Sequence, residues 1–132
     1  MTKINHIAIL VENIEAALPF WQDALGLELA QLEEVPAESA RVAFFPTGES
    51  EIELVQPTDP ETGLGRFLQK NGGGIHHICL EVPDIEAKMQ QLVEHQVVLI
   101  NETPRRRENG TQYAFIHPKS TGGVLVELYQ LP

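Results

Sequence analysis

Two histidines and two glutamates recur at matched places along this chain. The stretch from His6 to Ala16 aligns without a gap on the stretch from His77 to Ala87, at a constant offset of 71 residues (77 minus 6). A second phrase, Ile52-Glu53-Leu54-Val55-Gln56, aligns on Val126-Glu127-Leu128-Tyr129-Gln130 at an offset of 74 (127 minus 53). Each copy therefore brings one imidazole and one carboxylate, the donor types that suit divalent first-row cations. A duplicated module that assembles on itself would bring His6, Glu53, His77 and Glu127 to one metal site.

Strand parity supports this reading. Alternate residues of a strand share a face, so if Ile52, Leu54, Val126 and Leu128 face covering helices, Glu53 and Glu127 face the other way. His6 and His77 oppose Ile7, Ile9, Ile78 and Leu80 by the same rule. An ionised carboxylate buried without a partner costs several kcal/mol, a large share of a fold stability of roughly 5 to 15 kcal/mol. Neither neighbouring strand offers an obvious Lys or Arg, which leaves a divalent cation as the economical counter-charge. A single histidine at a strand start is usually structural and a single strand glutamate usually faces water; the matched recurrence argues otherwise here. Parity turns His76 away from His77, while His95 and His117 have no repeat partner and read as structural.

The elements that must carry these residues repeat as well. Residues 4–11 read as a strand, followed by a helix over 14–24 that Asn13 caps and Gly26 stops. Strands are expected at about 27–34, 40–46 and 50–56, with Pro46 to Glu49 as a turn. The second copy predicts a strand at 75–82, a helix at 84–94 begun by Asp84, and strands near 97–101, 111–117 and 123–130. Residues 57–74 form a linker containing a short helix around Leu64 to Lys70. The predicted class is α+β: two βαβββ modules forming a curved, mostly antiparallel sheet around a metal-binding cleft. The whole is a single domain over 1–132, with module 1 at about 1–57, the linker at about 58–74 and module 2 at about 75–132.

Composition narrows the partners. A net charge of −10 over 132 residues argues against nucleic acid, whose binding depends on clustered cations. The one dense basic run, Arg105-Arg106-Arg107, could still hold a small phosphorylated ligand or be a solvated loop. The single cysteine, Cys79, reads as a core residue in a reducing compartment. Ile4 to Ile7 looks like a strand rather than a leader, and no apolar run approaches the roughly 18 residues of a membrane span. A cytoplasmic protein without membrane partners is expected.

With the four ligands in place, the βαβββ pair resembles the vicinal oxygen chelate superfamily. Asn5-His6-Ile7-Ala8, Gly65 to Asn71, Gly74 to Cys79, His117-Pro118-Lys119 and Gly122 to Leu128 are similar to the pattern of its methylmalonyl-CoA epimerase family. Two departures stand out. Some members carry an acid where this chain has Val42 and a glutamine where it has Glu53, and their glycine-rich loop is replaced here by Arg105 to Gly110.

The resemblance implies metal-dependent epimerisation of methylmalonyl-CoA at C2, by proton abstraction and return through a metal-stabilised enolate. Glu127 and Glu53 are the expected acid/base pair as well as ligands beside His6 and His77. Nitrogen and oxygen donors together suit Co2+, Mn2+, Ni2+ or Zn2+, and the resemblance favours Co2+ or Mn2+. It also implies an acyl-CoA thioester substrate and a homodimer, with Arg105, Arg106, Arg107 and Lys119 as candidates for the CoA phosphates. Glyoxalase I, with the same four ligands, is the nearest alternative; a non-catalytic drug-binding resistance protein is the alternative from another class.

Overall fold

The computed structural model describes residues 1–132, which divide into two compact units, His6–His76 and Met1–Asn5 with His77–Pro132. The strands are β1 (Lys3–Leu10), β2 (Gln31–Val35), β3 (Ala40–Thr47), β4 (Ser50–Pro57), β5 (Gly74–Glu81), β6 (Arg105–Arg106), β7 (Gln112–Ile116) and β8 (Val126–Gln130). The helices are α1 (Ile14–Leu18), α2 (Gly63–Asn71) and α3 (Ile85–Glu94). The α+β class and the duplicated βαβββ order are those read from the sequence.

Pairing is mixed but mostly antiparallel. In the first unit β2 pairs β3 and β3 pairs β4 antiparallel, while β1 runs parallel to β4. The second unit repeats this: β6 with β7 and β7 with β8 antiparallel, β5 parallel to β8. A parallel return needs a long crossover, and each module supplies one through its helix.

The helices start in equivalent ways. The Asn13 side chain accepts from the backbone N–H of Ala16 at 2.8 Å, and Asp84 accepts from that of Ala87 at 3.0 Å. The first-turn N–H of Ile14 is taken by Gln56 Oε1 at 2.9 Å and that of Ile85 by Gln130 Oε1 at 2.8 Å. First-turn N–H groups have no partner inside a helix, so the repeated glutamine closing β4 or β8 completes each N-terminus. Arg41 on β3 hydrogen-bonds Glu15 at 2.9 Å. That bond holds the Glu15 carboxyl below the usual carboxylate range and raises Arg41 above its own.

Three details depart from the expected elements. The helix predicted over 14–24 is α-helical only to Leu18; Pro19–Ala24 is a wider π turn, with Leu25 N–H bonded to the carbonyl of Phe20. Pro19 has no N–H to continue the i to i−4 ladder, and π turns form where that ladder is interrupted. The strand predicted near 97–101 is reduced to one bridge, Leu99 with Ile116, and the strand that pairs the outer side of β7 is β6 in the arginine run. The segment 57–74 is more than a linker: α2 packs Leu64, Phe67 and Leu68 against Ala8, Leu10, Ala40, Val42 and Val55. Its start requires Gly65, where a Cβ would lie 2.5 Å from the carbonyl oxygen of Asp59.

The cores follow from these faces. Under α1, Ile14 packs with Ala43, Phe45 and Leu54; under α3, Ile85 and Met89 pack with Ala114, Ile116 and Leu128. The opposite face of β1 and β4 carries Ala8, Leu10 and Val55 beneath α2. No helix is long and apolar enough to cross a membrane.

Candidate metal centre

Two parallel strand pairs position the four repeated residues. In the first unit Ala8 stands opposite Glu53 and His6 lies two residues earlier on β1. In the second, Cys79 stands opposite Glu127 and His77 lies two residues earlier on β5. Residues two apart share a face, so each histidine leans over its own module's glutamate. His6 Nδ1 is 3.2 Å from Glu53 Oε2, and His77 Nε2 is 3.1 Å from Glu127 Oε1. The pseudo-symmetry stops at the rings, because His6 presents Nδ1 and His77 presents Nε2.

The third strand of each module adds an aromatic at the same register. Phe44 stands opposite Glu53 and Phe115 opposite Glu127. Phe115 meets the His77 ring edge to face at 5.5 Å. One rung further along the modules diverge. The first has Val42 opposite Val55, both buried beneath α2; the second has Tyr113 opposite Tyr129.

On those two tyrosines rests Arg107. Its guanidinium carbon lies 4.3 Å from the Tyr113 ring centre and 5.6 Å from that of Tyr129, within the range of cation–π attraction. Its Nη2 lies 3.6 Å from Glu127 Oε2. The hairpin that places it is tight: Arg107 N–H bonds the carbonyl of Thr111, and Gly110 turns the chain at a φ of 93°. The neighbouring strands bring no Lys or Arg to Glu127, but the inference that only a metal ion could balance it is corrected by Arg107, which lies between β6 and β7. The partner comes from the outer hairpin, through side-chain reach that strand spacing does not display.

The glutamates differ in setting. Glu127 has 2% of its side chain exposed and lies between His77 and Arg107, whereas Glu53 has 15% exposed. Of the other residues singled out, Arg105 and Arg106 lie exposed on β6, and Lys119 is exposed in a single 3-10 turn. His117 caps that turn, its Nδ1 accepting from the backbone N–H of Lys119, and His95 closes α3. His76 meets Phe67 of α2 at 4.9 Å. Cys79 is fully buried. Tyr113, Tyr129 and Phe115 had no chemical signal in the sequence; only their register against Glu127 reveals them.

The donors fit a divalent cation. Two atoms bound side by side to one ion at about 2.1 Å each stand about 3 Å apart, close to the separations in both His–Glu pairs. Imidazole nitrogen with carboxylate oxygen is a set that Co2+, Mn2+, Ni2+ and Zn2+ all accept.

The duplicated modules and the paired donors define the class. The chain belongs to the Glyoxalase/Bleomycin resistance protein/Dioxygenase superfamily, whose family model matches residues 5–115. Within it, the chain is an epimerase-like enzyme of the isomerase class, similar to methylmalonyl-CoA epimerases. It is 38% identical over 131 residues to the ethylmalonyl-CoA/methylmalonyl-CoA epimerase of Cereibacter sphaeroides, covering 98% of each chain. The crystal structure of the Mycobacterium tuberculosis methylmalonyl-CoA epimerase matches with a TM-score of 0.86 at 33% identity, covering 98% of this chain and 87% of that one. A methylmalonyl-CoA epimerase in complex with methylmalonyl-CoA and NH4+ matches with a TM-score of 0.88 at 31% identity, covering 99% and 95%.

Proposed function

We propose that this protein epimerises methylmalonyl-CoA at C2, using one divalent cation held by His6, Glu53, His77 and Glu127. The observation that carries the reading is the repeated His–Glu pair: each module presents an imidazole nitrogen and a carboxylate oxygen at about the spacing of neighbouring metal ligands. The likeness to epimerases over nearly the whole chain supports the substrate. Co2+ or Mn2+ is the favoured ion. The same resemblance extends the proposal to a cytoplasmic homodimer, and residues 1–132 to a single functional domain.

When bound, the cation would supply electrostatic stabilisation of the negative charge that develops on the thioester as C2 loses its proton. The side chains do the rest. One carboxylate takes the C2 proton, the C–H electron pair passes into the thioester carbonyl, and a proton is returned to the opposite face of the planar carbon. Epimerisation calls for two acid/base groups on opposite sides of C2, or one that moves between them, and the module repeat offers two candidates, Glu53 and Glu127. Val42 lies on the glutamate face of its module but is apolar and buried, so the first module's proton carrier is Glu53. His6 and His77 would hold the ion beside the carboxylates, and the apolar packing of α2 over Ala8, Leu10, Val42 and Val55 keeps that side dry.

The test is isotope exchange. Metal-loaded protein incubated with one epimer of methylmalonyl-CoA in deuterated water should incorporate deuterium at C2 while forming the other epimer. Absence of exchange, with turnover of methylglyoxal and glutathione instead, would overturn the reading in favour of a glyoxalase.

A further inference from the structure

Arg107 is the departure from module symmetry that the duplicated metal ligands do not explain. In the first module the rung beyond the glutamate is apolar and covered by α2. In the second it is a tyrosine pair covered by a guanidinium beside Glu127. A chain of net charge −10 thus keeps one of its nine basic side chains 30% exposed next to a reacting group.

We infer that Arg107 anchors the free carboxylate of the substrate and thereby selects malonyl-type thioesters over plain acyl-CoA. The inference rests on the epimerase reading and deepens it. Charge bookkeeping supports it: two glutamates balance one divalent cation, and Arg107 adds one positive charge, which one substrate carboxylate matches. Geometry supports it too. A guanidinium has five N–H donors in one plane and pairs readily with carboxylates, so one arginine can face two of them. Its cation–π contacts with Tyr113 and Tyr129 restrain the guanidinium, and a restrained donor loses less freedom on binding. The guanidinium lies 3.6 Å from Glu127 Oε2, which puts an anion held there within a few ångströms of the carboxylate that exchanges the C2 proton. Arg105 and Arg106, exposed on β6, lack these constraints.

The experiment compares two thioesters that differ only in the carboxylate, methylmalonyl-CoA and propionyl-CoA, by calorimetric binding to metal-loaded protein. The wild type should prefer methylmalonyl-CoA. Arg107→Met should weaken methylmalonyl-CoA by about tenfold or more, the usual worth of a charge-assisted pair, and change propionyl-CoA by less than about twofold. Arg107→Gln, which keeps a polar stem beside Glu127, should give the same loss of preference and serves if the methionine variant does not fold. Equal weakening of both thioesters, or no change in either, overturns the assignment. Deuterium exchange at C2 by the wild type separates the two levels: exchange with an unaltered ligand preference sinks the role of Arg107 alone, and no exchange sinks the epimerase reading with it.

Discussion

The four repeated side chains are equal in sequence and unequal in place. Glu127 is fastened on one side by His77 and on the other by Arg107, while Glu53 faces His6 and keeps 15% of its side chain exposed. In the proposed mechanism a carboxylate has to reach the C2 proton, and the more exposed Glu53 is freer to do so than Glu127. Glu53→Gln should lower the exchange rate by about 100-fold to 10,000-fold, the usual worth of general acid–base catalysis, with thioester affinity little changed. Glu127→Gln should cost a comparable factor and also loosen His77 and Arg107, seen as lower thermal stability. An active Glu53→Gln enzyme would reduce Glu53 to a ligand.

The elements show how a short repeated phrase builds a rigid support. Gln56 and Gln130 close the phrases that carry the glutamates, and each returns its amide oxygen to the first turn of its module's helix. The glutamate strand is thereby tied to the helix that covers its far side. Ile14 and Ile85 are fully buried, so losing the acceptor leaves a poorly solvated N–H. Gln56→Ala and Gln130→Ala should each cost about 1 to 2 kcal/mol in urea unfolding. In the double variant the costs should add, because the two bonds share no partner. A change below about 0.3 kcal/mol in either single variant, within the ordinary range for surface substitutions, would deny that role. Much of this was legible beforehand, since strand parity separated Ile52 and Leu54 from Glu53, and Asn13 and Asp84 marked the helix starts. The π turn, the cover supplied by α2 and the reach of Arg107 were not, because they depend on a missing proline N–H, on which face an amphipathic helix finds, and on a hairpin that folds a side chain back over two tyrosines.

At the scale of the whole molecule, each of the two units holds a His–Glu pair at ligand spacing, and beside it one unit carries the apolar packing of α2 and the other an arginine. In the proposed centre the two pairs serve one ion. Titration of metal-free protein with Co2+, followed by calorimetry, tests it most directly. A shared ion gives one tight site per chain, and at least about 100-fold weaker binding when either Glu53 or Glu127 is replaced by alanine, a loss at the upper end of that caused by removing even an outer-shell partner. Two independent sites per chain, or full-affinity binding by a protein lacking one of the pairs, would contradict it.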